Sequence, residues 1–518
     1  MGPELLAVLL VLGLITGILS GVPVGFVLLG VPTLVALAGI AAGSFDPAFL
    51  TAFPARAFGV LTNPVFVALP LFVAMGALLE KSDIARRMML AAGALCGERR
   101  GGIAYAVILV GALLAASTGV IGATIFMLGM IALPAMLSAK YSPRLAAGVI
   151  CASGSLGQII PPSILLILLA DQVSAAYQAG RRLAGDFSPE PVTVGDLFAG
   201  ALLPGLMLVG FYLIYVFVLS RLRPDTCPAL RPQDAAQGGD TASTAGIVKS
   251  LVMPLLLILL VLGSILGGIA TPTESAALGA SGALIMVALD GEEGPRWQRR
   301  LLLGTLPAAM VLLVVKLLGG AHASPVLMAV AAAALIVLVG GMLLAIRRET
   351  VTGRLVPVLL TTATLTSMLF LIVLGATLLS LVFRGLGGDD RVRGFLLDLP
   401  GGVPVALFAV MAVIFLLGFI LEFVEIIFIV VPVAAPPLMM AGVDPVWFAI
   451  LISMNLQMSF LTPPFGYALF YFRSVAPAAV RTRDIYLAII PFVAIQMLAL
   501  VVVALFPSLA TFLPALLY

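Results

Sequence analysis

Two carboxylates, Glu422 and Glu425, lie three residues apart inside the apolar run Gly418-Phe-Ile-Leu-Glu-Phe-Val-Glu425. A carboxylate at membrane depth costs about 2.5 to 3.5 kcal/mol on insertion scales, so its retention implies a use. At that spacing both face one side of a helical turn, where they could bind a cation, carry a proton or hold a substrate hydroxyl. The plainer alternative is an ion pair with an arginine such as Arg384 or Arg473. Two further stretches set small and polar groups in the middle of apolar sequence: Cys151-Ala-Ser-Gly-Ser-Leu-Gly-Gln-Ile-Ile-Pro-Pro-Ser163 and Asn455-Leu-Gln-Met-Ser-Phe-Leu-Thr-Pro-Pro-Phe-Gly466. Each proline pair strips backbone donors and leaves carbonyls unpaired upstream, while the half-helix that follows aims its positive dipole end into the gap. Carbonyls suit a cation and a helix start suits an anion. Oxygen-rich, thiol-free surroundings favour hard monovalent cations over soft metals. The expected substrate-binding set is therefore Ser153, Ser155, Gln158, Glu422, Glu425, Asn455 and Gln457, with Ser459 and Thr462 completing the polar lining.

The two stretches are copies of one skeleton. Pro134, Pro143, Pro161 and Pro162 recur as Pro436, Pro445, Pro463 and Pro464, each 302 positions later. One copy alone would be read as close helix packing or a kink. Two in register, in two halves of an apolar chain, point to paired broken helices around the midplane binding site of a secondary transporter. Ahead of each break lies a soft, Gly-containing segment, Ala115-Ala-Ser-Thr-Gly-Val-Ile-Gly122 and Gly418 to Glu425, read as the tip of a re-entrant hairpin. Non-helical backbone at that depth is tolerated only against protein or a watery cavity.

The elements that must hold these groups are membrane helices. The chain is 62% hydrophobic and 10% charged, and a span needs about 20 apolar residues, which allows roughly a dozen apolar segments. A first repeat covers 1–220, with a hairpin at 117–140 and a broken helix at 144–170. A polar linker covers 221–249. A second repeat covers 250–518, with a hairpin at 418–441 and a broken helix at 446–472. A weaker echo of Pro23, Gly25 and Gly30 in Pro272, Glu274 and Gly279 comes at a shorter offset, which places a two-helix insertion at 296–348 in the second half. Inverted repeats need an odd number of crossings between equivalent helices, so a segment near 83–100 is expected to lie along the membrane surface as an arm. The formal charge of +3 is scattered over short loops and offers no face to nucleic acid. Cys96, Cys151 and Cys227 show no metal-site or disulfide spacing. No cleavable leader is apparent, and lysines and arginines fall evenly enough that orientation is not readable.

Gly268-Ile-Ala-Thr-Pro-Thr-Glu-Ser-Ala-Ala277, Ile159-Ile-Pro-Pro-Ser163 and Leu461-Thr-Pro-Pro-Phe-Gly466 together resemble the large membrane subunit of the TRAP (tripartite ATP-independent periplasmic) transporters, over nearly the whole chain. The resemblance implies an all-α polytopic membrane protein of two inverted repeats, each with a re-entrant hairpin and a broken helix, working as an elevator in the bacterial inner membrane. It implies import of a small carboxylate driven by sodium ions, with no other cofactor. It also implies two partners, a small four-helix membrane subunit and a periplasmic solute-binding protein. No small subunit precedes Met1, so that partner is expected as a separate polypeptide. By position, the family's sodium sites fall on Ser117, Thr118, Gly157, Ile160 and Pro162 in one half, and on Gly418, Ser459, Thr462 and Pro464 in the other. Two features depart from the family pattern: Glu422 stands where Asp is usual, and shorter members lack the insertion. The competing classes are a passive channel and a rhomboid-like intramembrane protease built on Ser153. The protease reading has Cys151 where the motif needs glycine, and as its base only His322, placed in a turn.

Overall fold

Apolar runs without water can satisfy their backbone only by coiling, and every regular element among the described residues is helical. The computed structural model describes residues 2–96, 99–119, 121–229, 244–290, 295–319, 325–463, 466–477 and 480–518. The side chains at 117–118, 244–249, 313 and 316–319 lie outside that description. The first half comprises α1 (Pro3–Leu19), α2 (Val24–Ala41), α3 (Ala48–Thr51), α4 (Phe53–Thr62), α5 (Pro64–Glu80), α6 (Ile84–Cys96), α7 (Gly102–Thr118), α8 (Ile121–Ser138), α9 (Pro143–Ser155), α10 (Ile164–Leu183) and α11 (Val194–Leu222). The second comprises α12 (Thr244–Leu266), α13 (Pro272–Asp290), α14 (Arg296–Gly319), α15 (Pro325–Val351), α16 (Leu355–Gly385), α17 (Gly388–Leu397), α18 (Gly402–Leu417), α19 (Phe423–Met440), α20 (Pro445–Leu461), α21 (Tyr467–Val475), α22 (Thr482–Leu505) and α23 (Ser508–Leu517). Among the described residues, 8 helices are long and apolar enough to cross a membrane, or 9 if the pair α4–α5, bent by 50° at Asn63, is counted as one span.

The contacts exchange the halves pairwise. The half-helix α10 packs on α19, and its counterpart α21 packs on α8. Likewise α9 meets α22 while α20 meets α11, and α2 meets α16 while α13 meets α5. This is the pattern of a two-fold relation between the repeats. The hairpins α7–α8 and α18–α19 and the broken helices form one contact group, the inner body, and α2, α5, α13 and α16 form another, the outer frame, with α5 meeting α7 and α16 meeting α19 between them. The insertion helices α14 and α15 pack on each other and on α13, in the frame.

The stretch Gly268–Ala277 serves the frame. Thr271 precedes Pro272 at the first turn of α13. Its backbone N–H and hydroxyl both donate to Glu274 Oε2, at 2.9 and 3.0 Å, while the Glu274 N–H donates back to Thr271 Oγ at 3.3 Å. This reciprocal cap satisfies donors that a helix start leaves free. Thr273 Oγ then donates to the Pro64 carbonyl at 2.7 Å, tying α13 to the start of α5.

Several boundaries differ from those read in the sequence. Each hairpin begins a full helix earlier than expected, at Gly102 instead of 117 and at Gly402 instead of 418, because its first arm is as apolar as a span. The first broken helix continues past 170 to Leu183 and the second ends at Val475. Within 221–249, α11 reaches Leu222 and α12 begins at Thr244, with 230–243 outside the described residues. The segment near 83–100 contains α6, whose 13 residues span about 20 Å at 1.5 Å each, too short to cross a core about 30 Å thick.

Candidate functional site

Both broken helices are interrupted at their proline pairs. In the first half α9 ends at Ser155, a single tight turn covers Leu156–Gln158, and helix resumes at Ile164. The carbonyls of Ile160, Pro161 and Pro162 accept no hydrogen bond among the described residues. The Gln158 carbonyl accepts two, from Ser163 Oγ and Ser453 Oγ, both at 3.1 Å. In the second half α20 runs to Leu461 and helix resumes at Tyr467. Pro464 lies outside the described residues.

The two breaks meet. Gln457 Nε2 donates to Ser155 Oγ at 3.3 Å across a separation of 302 positions, the same offset that relates the repeats. Two equivalent residues can touch only beside the axis that exchanges them, so this contact marks the pseudo-two-fold. Gln496 Nε2 joins Ser155 Oγ at 3.4 Å and Tyr212 Oη at 2.8 Å. Ser153, Ser155, Gln158, Gln457 and Gln496 are all buried. Ser153 Oγ, both amide atoms of Gln158, and the Oε1 atoms of Gln457 and Gln496 have no hydrogen-bond partner among the described residues. A neutral centre with this many free oxygens and donors is costly when empty of partners. Gln496 and Tyr212 were missed from sequence; the available signal was a lone amide inside the apolar run of α22.

Each hairpin tip rests on the break of its own half. At Gly157 an added Cβ would lie 2.9 Å from the Ala115 carbonyl oxygen of α7. At Gly418 it would collide with the Ser459 hydroxyl. The first tip turns at Gly119, with φ 61°, a left-handed conformation that favours glycine. Ser117 and Thr118 end α7, and their side chains lie outside the described residues. Ile160 donates its N–H to the Leu156 carbonyl at 3.0 Å, and Pro162 is buried.

Asn455 and Ser459 spend their donors on structure. They stand one helical turn apart on α20 and donate to the carbonyls of Met411 and Phe415 on α18, at 2.7 and 2.6 Å. Thr462 Oγ returns to Met458 O at 2.8 Å. These side chains staple the second hairpin to its broken helix instead of lining open space, and any ligand would find only their remaining lone pairs.

The two glutamates divide. Glu422 is the residue before α19, half-buried, and makes no capping bond with its side chain. Glu425 is buried in the first turn of α19, and its Oε2 has no hydrogen-bond partner among the described residues. Neither pairs with arginine: Arg384 bonds Asp389 at 2.8 Å, and Arg473 donates to the Val480 carbonyl at 2.7 Å. Glu422 instead lies within electrostatic reach of Tyr467 and Tyr471 of α21, two residues that sequence reasoning passed over. Tyr467 Oη donates to Ile420 O at 3.1 Å on the second tip. An added Cβ at Gly122, just past the first tip, would meet the Tyr471 ring at 2.7 Å. Both tips therefore converge on α21. Among the described residues no group of three or more His, Cys, Asp or Glu could hold a metal ion, and His322 lies outside them.

Residues 9–340 and 292–509 match the family described as tripartite ATP-independent periplasmic transporter, DctM component. A C4-dicarboxylate TRAP transporter large permease protein of Rhodobacter capsulatus is 28% identical over 455 residues, 87% of each chain. The isethionate TRAP transporter permease protein DctMQ of Oleidesulfovibrio alaskensis is 25% identical, over 94% of this chain and 64% of that longer one. The solved YdaH transporter of Alcanivorax borkumensis superposes with a TM-score of 0.54 at 13% identity, over 90% of this chain and 88% of that one, a likeness of fold alone. These relatives carry the names of permeases, and neither the protease nor the channel alternative finds support among them.

Proposed function

The chain belongs to the DctM-component family of tripartite ATP-independent periplasmic transporters, is a multi-span membrane permease and not an enzyme, and we propose that it imports a small organic acid driven by sodium ions. The observation that carries this reading is the meeting of two broken helices at Ser155 and Gln457, near peptide carbonyls of Ile160 to Pro162 that have no partner among the described residues. Unpaired carbonyls and hydroxyls suit a dehydrated monovalent cation. Helix starts near Ile164 and Tyr467 suit an anion. Two ion centres, one under each hairpin tip, would then flank an acid held near Glu422 and the tyrosines of α21. Movement of the inner body against the frame carries the cargo across, in the manner of an elevator.

The partners follow from the family's tripartite nature. A periplasmic binding protein delivers the acid, and a small membrane subunit packs on the frame in the inner membrane. Uptake by vesicles containing all three components tests the coupling. Accumulation should require an inward sodium gradient and fail when potassium replaces sodium. Import indifferent to that replacement would refute it.

A further inference from the structure

Between body and frame lies a cavity of about 400 Å³, outside the polar centre described above. Its frame wall comes from α4, α5 and α16, and its body wall from α10 and α19. The size falls in the range of small-molecule sites. The chemistry of its lining is uneven. Asp171 and Gln172 of α10 face Asn63 at the α4–α5 bend, where Asn63 Nδ2 donates to Asp171 Oδ1 and Gln172 Nε2 to Asp171 Oδ2, each at 2.8 Å. That acid is therefore occupied by two amides. Arg56 of α4 and Arg384 of α16 also line the cavity. Arg384 is paired with Asp389 at 2.8 Å. The Arg56 guanidinium has no ion pair or hydrogen bond among the described residues, and Arg384 with its partner is close enough to act on it electrostatically.

We propose that this cavity is an anion vestibule in which the Arg56 guanidinium takes the carboxylate or sulfonate group of the cargo on its way to or from the polar centre. The assignment rests on the organic-acid reading above and names the group that would recognise the acid on its route. A guanidinium offers a planar fork matched to a carboxylate or sulfonate. The lining carries two guanidiniums, of Arg56 and Arg384, against the single carboxylate of Asp171, and a crevice with low-dielectric walls and an excess of positive charge concentrates anions. Thr377 and Ser380, one helical turn apart on the same frame helix, add hydroxyls to the wall.

The test needs neither partner proteins nor transport. Ser380→Cys is placed in a Cys96→Ser background, Cys151 and Cys227 being buried. The rate of modification by an anionic sulfonatoethyl thiosulfonate reagent is divided by the rate for a neutral one. At low salt the ratio should fall about tenfold on Arg56→Gln and be kept by Arg56→Lys. Excess succinate or isethionate should slow the neutral reagent in the Arg56 protein and not in Arg56→Gln. A ratio unmoved by Arg56→Gln would mean that the guanidinium serves lipid headgroups, and would overturn the vestibule. So would the failure of both anions to slow modification. Loss of sodium-driven uptake with this ratio intact would instead strike the transport reading alone.

Discussion

The first and second breaks fall at equivalent proline pairs and differ in the side chains around them. The helices α8 and α19, and the starts of α9 and α20, correspond at the same 302-residue offset that joins Ser155 to Gln457. Yet where the second half has Glu422, Glu425, Tyr467 and Tyr471, the first has Val120, Ala123, Leu165 and Leu169. Duplicated backbone breaks suit a duplicated cargo such as two like ions, since peptide oxygens are present whatever the side chain. Side chains found on one side only suit a single asymmetric passenger. Under the proposed function, the difference would put ions at both halves and the acid at the second.

That division can be broken in order of expected effect. Gly157→Val and Gly418→Val should each cut uptake about 10- to 100-fold, since forced overpacking costs about 1 to 3 kcal/mol at tips with no room for a Cβ. Similar losses from the two would match the shared backbone, and a loss from only one would break the symmetry. Glu422→Gln should lower uptake about tenfold or more, with normal expression in the membrane. Glu425→Gln should act mainly on stability, by about 0.3 to 1 kcal/mol for an acid lost from the first turn of α19, read as a lower melting temperature with uptake largely kept. Equal uptake defects in the two would erase the distinction between them. Tyr467→Phe should have the smallest effect, about threefold to tenfold in KM, as expected for one hydrogen bond worth about 0.5 to 1.5 kcal/mol. An unchanged KM would remove Tyr467 from the site.

Much of this was legible in the chain because prolines and charges act locally. A Pro-Pro pair breaks a helix wherever it stands, so both breaks and their pairing could be read from spacing. Glu422 stood out because a carboxylate is expensive in apolar sequence. The hairpin arms were not separable from spans, since Gly102–Thr118 and Gly402–Leu417 are as apolar as any crossing. The structural contacts of Asn455 and Ser459 were not legible for a different reason. Their acceptors, Met411 and Phe415, are peptide carbonyls on a neighbouring helix, and sequence does not show which helices are neighbours. Tyr467 and Tyr471 look like ordinary aromatic residues of a span until two tips close on them. The Arg56 cavity exists only because α4, α16, α10 and α19 come together from across the chain.

Thermal unfolding of the purified permease in sodium against potassium, at equal ionic strength, bears most directly on the paired-break account. A ligand that binds only the folded state stabilises by about 2.7 kcal/mol at 100 times its dissociation constant. Sodium should therefore raise the melting temperature in a saturable way. Gly157→Val and Gly418→Val should each remove about half of that rise, and the double variant all of it. Equal melting temperatures in the two salts, or a sodium effect that survives the double variant, would contradict the claim that the breaks hold the ions.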